Sequence, residues 1–129
     1  MALLRIDVIE GRTDAELKAL LDAAHRATVA AFEVPEHDRY QIVHEHRRAC
    51  MIIEDTGLGL ARTDKVVVVH VTARVCTRKT KENFYRLLCD KLHRYCGIAP
   101  SDVVVTVAEN TEDNWSFGLG HAQFVTHEL

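Results

Sequence analysis

The sequence predicts an α+β fold: two tandem β-α-β units forming one four-stranded sheet, with both helices on one face and short arm strands besides. Three observations carry that expectation. Two strand-like segments each run into a long amphipathic helix, a second strand returns after each helix, and the whole pattern recurs after 64 residues. At 129 residues the chain has room for a single domain over 1–129, with half-repeats at about 2–64 and 65–129.

The elements follow in order. LRIDVIE at 3–9 reads as a strand, and TDAE at 13–16 is a capping box, with Thr13 accepting an early backbone N–H and Glu16 reaching back. Leu17, Leu20, Leu21, Ala24, Thr28, Ala31 and Phe32 then recur at helical spacing. Pro35 closes that helix, and YQIVHEH at 40–46 is the returning strand. KVVVVHVTA at 65–73 opens the second unit, its valine run marking an interior strand. Thr80 to Cys96 is helical, with Phe84, Leu87, Leu88, Leu92, Tyr95 and Cys96 on one side. GIAP supplies the glycine and proline of a helix stop, and DVVVTVAEN at 102–110 returns. In this register Ala24 matches Leu88, Thr28 matches Leu92, Val34 matches Ile98, Asp38 matches Asp102 and Glu45 matches Glu109.

Parallel strands within each unit require right-handed crossovers, so both helices cover one sheet face and leave the other bare. Because the strands read as apolar on both sides, the bare face predicts a homo-oligomer packed around an axis. MIIEDTGLGLART at 51–63 and NWSFGLGHAQFVTHEL at 114–129 are the expected arms across those contacts. Their glycine pairs make tight turns and not phosphate loops, since no GxGxxG or GK[ST] is present.

Composition narrows the function. A chain 47% hydrophobic and 27% charged can bury a core, and a net charge of −3 gives no basic footprint for nucleic acid. No apolar run approaches the ~18 residues of a membrane span, and LLRIDVIEG is too charged for a signal-peptide core. Cys50, Cys76, Cys89 and Cys96 form no CxxC, which points to a reduced, cytoplasmic protein. No cofactor motif is present.

Candidate chemistry lies at the sheet ends. An initiator Met followed by Ala is normally trimmed, which would leave the Ala2 amine free at the head of the first strand. Asp38 sits between a helix stop and a strand, and Arg74 where the valine-rich strand runs into its connection. Converging, an ammonium and a guanidinium would hold an anionic substrate while a carboxylate moved a proton or oriented water. The alternative is a frayed terminus and two solvated charges. His44 and His46 with Cys50 lack further ligand spacing for a metal, and Glu54 and Asp55 point oppositely on a strand. Cys76 is a nucleophile only if its pKa is lowered. Trp115, Phe117 and Phe124 are either ordinary core or, with Leu119 and Leu129, the wall of a small apolar pocket.

The chain resembles the tautomerase superfamily, and within it the malonate semialdehyde decarboxylases; the cis-3-chloroacrylic acid dehalogenases share the chain length. The resemblance rests on LLRIDVIEGRTDAELKALLDAAH, VPEHDRYQIVHEH, EDTGLGLART, CGIAPSDVVVTVAEN and DNWSFGLGHAQFVT, covering essentially the whole chain. It implies a trimer of duplicated β-α-β protomers and, in the family, removal of the initiator Met to expose a catalytic proline. Here that residue is Ala2. The family's aspartate after the first helix matches Asp38, and the first of its two carboxylate-binding arginines matches Arg74. The second arginine is replaced by Cys76, and the aromatic wall matches Trp115 and Phe117, with Phe124 following. Three functional expectations follow: weak or altered tautomerase, hydratase or decarboxylase activity on a small anionic carbonyl acid; an inactive fold that binds a small carboxylate or serves a structural role; or an engineered proline-to-alanine variant of an active family enzyme.

Overall fold

The computed structural model describes residues 1–129. Its chain order is β1 (Ala2–Ile9), α1 (Asp14–Phe32), β2 (Tyr40–His46), β3 (Val67–Arg74), α2 (Arg78–Cys96) and β4 (Val103–Asn110), with short 3-10 turns between. The strands form one sheet in the order β2-β1-β3-β4. Each β-α-β pair is parallel, β1 with β2 and β3 with β4, and the units join through antiparallel β1 and β3. The valine-rich strand is therefore interior, as its composition predicted.

The helices are equivalent in length and in their ends. Each has 19 residues. Thr13 caps α1 in a full capping box, accepting from the Glu16 N–H at 3.2 Å while its own N–H donates to Glu16 Oε1 at 3.0 Å. Thr77, which lies 64 residues on, caps α2 by accepting from the Thr80 N–H, so this helix starts two residues before Thr80. Both helices stop on a left-handed residue, Glu33 and Gly97. At Gly97 the glycine makes that conformation inexpensive, and its N–H and that of Ile98 satisfy the last carbonyls of α2.

Alternation builds the core. Leu4, Ile6 and Val8 of β1 and Val67, Val69 and Val71 of β3 are buried in one cluster with Leu20, Ala24 and Ala27 of α1 and Phe84, Leu88 and Leu92 of α2. The expected pairs Ala24 with Leu88, Thr28 with Leu92 and Val34 with Ile98 are all buried.

The opposite sheet face corrects the expectation of strands apolar on both sides. Strand register puts Leu3, Ile42 and Val68 there, but also Arg5, Asp7, His44, His46 and His70. Asp7 accepts from His46 Nε2 at 2.6 Å and from His70 Nε2 at 2.8 Å. Burial raises the Asp7 carboxyl, but these two bonds outweigh it and hold its pKa below the usual range. The alternation that buries one side of β3 leaves the other free to carry polar groups. Residues 51–63 and 114–129 also differ from expectation, forming turns and irregular segments and no arm strands. The outer edges of β2 and β4 stay open within one protomer, and neither arm adds a strand to them. No helix is long and apolar enough to cross a membrane.

Candidate functional site

The N-terminal end of β1 lies against the C-terminal end of β3, with Ala2 opposite Ala73. This antiparallel pairing brings the chain terminus beside Arg74, the last residue of β3. Past the Pro35 turn, where the Asp38 N–H donates to the Pro35 carbonyl at 3.0 Å, Asp38 faces the same point. Met1, Asp38, Arg74, Phe117 and Phe124 line a cavity of about 470 Å³. Cys76 instead lines an adjoining cavity of about 350 Å³ together with Glu112, and Met1, Phe32 and Arg74 are common to both walls.

Asp38 is the most unusual group in the molecule. Its side chain is only 12% exposed, and Oδ2 lies 3.9 Å from the terminal ammonium of Met1. Oδ1 is buried with no hydrogen-bond partner, an arrangement that costs stability and so marks a site rather than a scaffold. Burial lowers the pKa of that amine, Asp38 opposes the shift and Arg74 adds to it; the net is below the ordinary value. A larger neutral fraction near pH 7 makes the amine a better base or nucleophile. With Met1 present, Ala2 is 2% exposed and its nitrogen is an amide at the start of β1.

Arg74 is held from two sides. Its Nη1 donates to Glu112 Oε1 at 2.8 Å, and its Cζ lies 4.6 Å from the centroid of the Phe124 ring. Phe117 packs on Phe124 with centroids 5.3 Å apart and stacks on Trp115 at 5.5 Å. Trp115 backs this wall; its indole N–H donates to Asn110 Oδ1 at 2.7 Å. Gln123, nearly buried, closes the aromatic turn by accepting from the Phe117 N–H and donating to the Gly118 carbonyl. Leu129 lines the cavity, but Leu119 is 89% exposed and takes no part.

The other candidates separate from this site. Burial and then Glu109 push the Cys76 thiol pKa up, away from the thiolate a nucleophile needs. No group of His, Cys, Asp or Glu forms a metal site. Tyr40, Gln123 and Glu112 are site residues that sequence reasoning missed; Glu112 meets Arg74 across 38 residues, a pairing no local pattern signals.

The duplication supplies an internal control. A second cavity at the opposite end of the sheet is lined by Ile9, Glu10, Gly11, Arg12, Lys65 and Cys96. At the 64-residue offset these match Ala73, Arg74, Val75, Cys76, Met1 and Phe32. Asp102, the counterpart of Asp38 in this register, does not line that cavity, and both its oxygens are bonded: the Thr63 N–H donates to Oδ1 at 2.7 Å and the Thr63 hydroxyl to Oδ2. One carboxylate is a structural clasp, while its counterpart keeps one oxygen unpartnered and the other beside an amine.

Comparison with known proteins accords with this geometry. Two family models, each described as tautomerase enzyme, match residues 38–118 and 3–61. The probable tautomerase YrdN of Bacillus subtilis (strain 168) is 55% identical over 129 residues, the whole of both chains. The crystal structures of malonate semialdehyde decarboxylase, in wild-type, proline-to-alanine mutant and inactivated forms, include a chain 51% identical with a TM-score of 0.97, with 98% of each chain covered. A fused 4-OT symmetric trimer shares the fold at 22% identity and a TM-score of 0.78, covering 96% of this chain and 98% of that one. On the family match and the full-length relative, the chain belongs to the tautomerase family.

Proposed function

We propose that this protein is a tautomerase-superfamily enzyme without the amino-terminal proline, acting weakly or with altered outcome on small carbonyl acids. The observation that supports it is Asp38: a largely buried carboxylate with an unpartnered oxygen, in one cavity with Arg74 and 3.9 Å from the Met1 amine, whose place a freed Ala2 amine would take. Similarity to a malonate semialdehyde decarboxylase whose structures are tied to decarboxylase and hydratase activities directs the choice of substrate. In this reading Met1 is removed and the Ala2 amine takes over the terminal position, one residue further in. Arg74 holds the substrate carboxylate, the amine polarises or condenses with the carbonyl, and Asp38 moves a proton or orients water. Phe117 and Phe124, backed by Trp115, supply an apolar wall that strengthens each of these interactions by excluding water.

The whole of 1–129 then acts as one tautomerase-like domain, and three copies assemble. The uncovered sheet face and the fold shared with a trimeric 4-OT support assembly. Light scattering in dilute buffer is expected to report about 44 kDa, three times the 14.6 kDa chain; a stable species of one chain's mass overturns the trimer. Four free cysteines suit a reducing, cytoplasmic setting.

Ligand binding tests the site directly. Arg74→Ala removes charge-assisted bonds, and its affinity for a small 2-oxo acid is expected to fall about 10- to 100-fold by calorimetry. Unchanged affinity would place the carboxylate elsewhere. A second reading, a carboxylate-binding protein without turnover, is favoured by the loss of the proline ring at position 2 and of the second arginine at 76. An ultraviolet assay against phenylpyruvate and malonate semialdehyde, with an intact mass to locate the terminus, separates the two.

A further inference from the structure

We propose that Glu112 sets the ligand charge this site accepts, by occupying part of the Arg74 guanidinium and leaving room for one carboxylate only. The inference rests on the reading of Arg74 as the anion-binding group. Arg74 presents five N–H donors in a planar fork. Glu112 Oε1 takes Nη1 at 2.8 Å and the Phe124 ring covers one face, so an incoming carboxylate finds the remaining edge of the fork. Glu112 also cancels the charge that would draw it in.

The surroundings act in the same direction. Apart from the terminal amine, Arg74 and His37, the ionisable side chains around the two adjoining cavities that carry charge are the acids Glu33, Asp38, Glu112 and Glu128, with Cys76 beside them. A monoanion can bind where the amine and Arg74 outweigh this acidity locally. A dianion brings a second charge for which the walls hold no further lysine or arginine, only His37, and the acidic side chains of the cleft repel it. Glu112 is the residue to vary, since it is 57% exposed on the rim and touches neither the amine nor Asp38.

The test compares the full-length parent, Glu112→Gln and Arg74→Ala by calorimetry against pyruvate and 2-oxoglutarate. The parent is expected to bind pyruvate more tightly than 2-oxoglutarate. Glu112→Gln should improve pyruvate affinity about twofold to fivefold, as expected for removing an exposed competing ion pair, and improve 2-oxoglutarate by a larger factor. Both gains should shrink at high salt. If Glu112→Gln leaves the ratio between the two ligands unchanged, or weakens pyruvate binding, the residue is a prop for Arg74 and the proposal fails while the site stands. If Arg74→Ala binds both ligands like the parent, or no protein in the set binds either, the reading of the site itself fails.

Discussion

Introducing proline at position 2 and arginine at position 76 together is expected to raise turnover of malonate semialdehyde by more than the product of the separate gains. A ring nitrogen has one direction, whereas a primary amine at the end of β1 turns about its Cα; misplacement by ~1 Å costs about 10²-fold. Ala2→Pro alone should recover part of that factor. Cys76→Arg alone should recover roughly 10- to 100-fold through charge-assisted bonds to the carboxylate. Its backbone will stay in place: the Cys76 N–H donates to Glu109 Oε2 at 2.8 Å, and Glu109 is itself held by Lys81 at 2.8 Å. Cys76 lines the cavity that adjoins Arg74, so a guanidinium there works on the same bound carboxylate, which is why the gains should couple. The measurement is kcat/KM for parent, both single variants and the double, each with an intact mass. A double variant as inert as the parent means the pocket has diverged beyond these positions. A retained Met1 leaves the position 2 nitrogen an amide, so that a free amine there plays no part and carboxylate binding moves ahead of the proposed catalysis.

Phe84→Ala should be the most damaging single core change. Phe84 is 0% exposed within the cluster that joins both helices to the sheet. Truncating a buried aromatic ring leaves a cavity and costs about 3–5 kcal/mol. The consequence reaches the site, because Phe84 meets Phe32 with ring centroids 5.0 Å apart, and Phe32 lines both cavities beside Arg74. Urea unfolding at fixed protomer concentration should show the loss, and the folded remainder should bind a 2-oxo acid more weakly. A cost under about 1 kcal/mol with unchanged binding would mean that the helices close over the gap and that Phe32 is held by other contacts.

Much of the architecture was legible in residue order because its causes are local. Helical spacing from Leu17 to Phe32, the Thr13–Glu16 box, the glycine at 97 and the alternation of the strands are each set by residues within a turn or two of one another. The 64-residue recurrence then implied which strands pair, and the family resemblance pointed to Asp38 and Arg74. Tertiary structure alone decided the rest. It distinguished Asp38 from Asp102, two carboxylates equivalent in register, by giving Thr63 to one and an amine to the other. Only the fold puts Glu112 on Arg74, Gln123 behind Phe117, and a charged Asp7 with two histidines on a face that alternation had read as apolar. Periodicity reports which way a side chain leaves its own element. What it meets there depends on segments dozens of residues away, whose approach is settled by packing of the whole core.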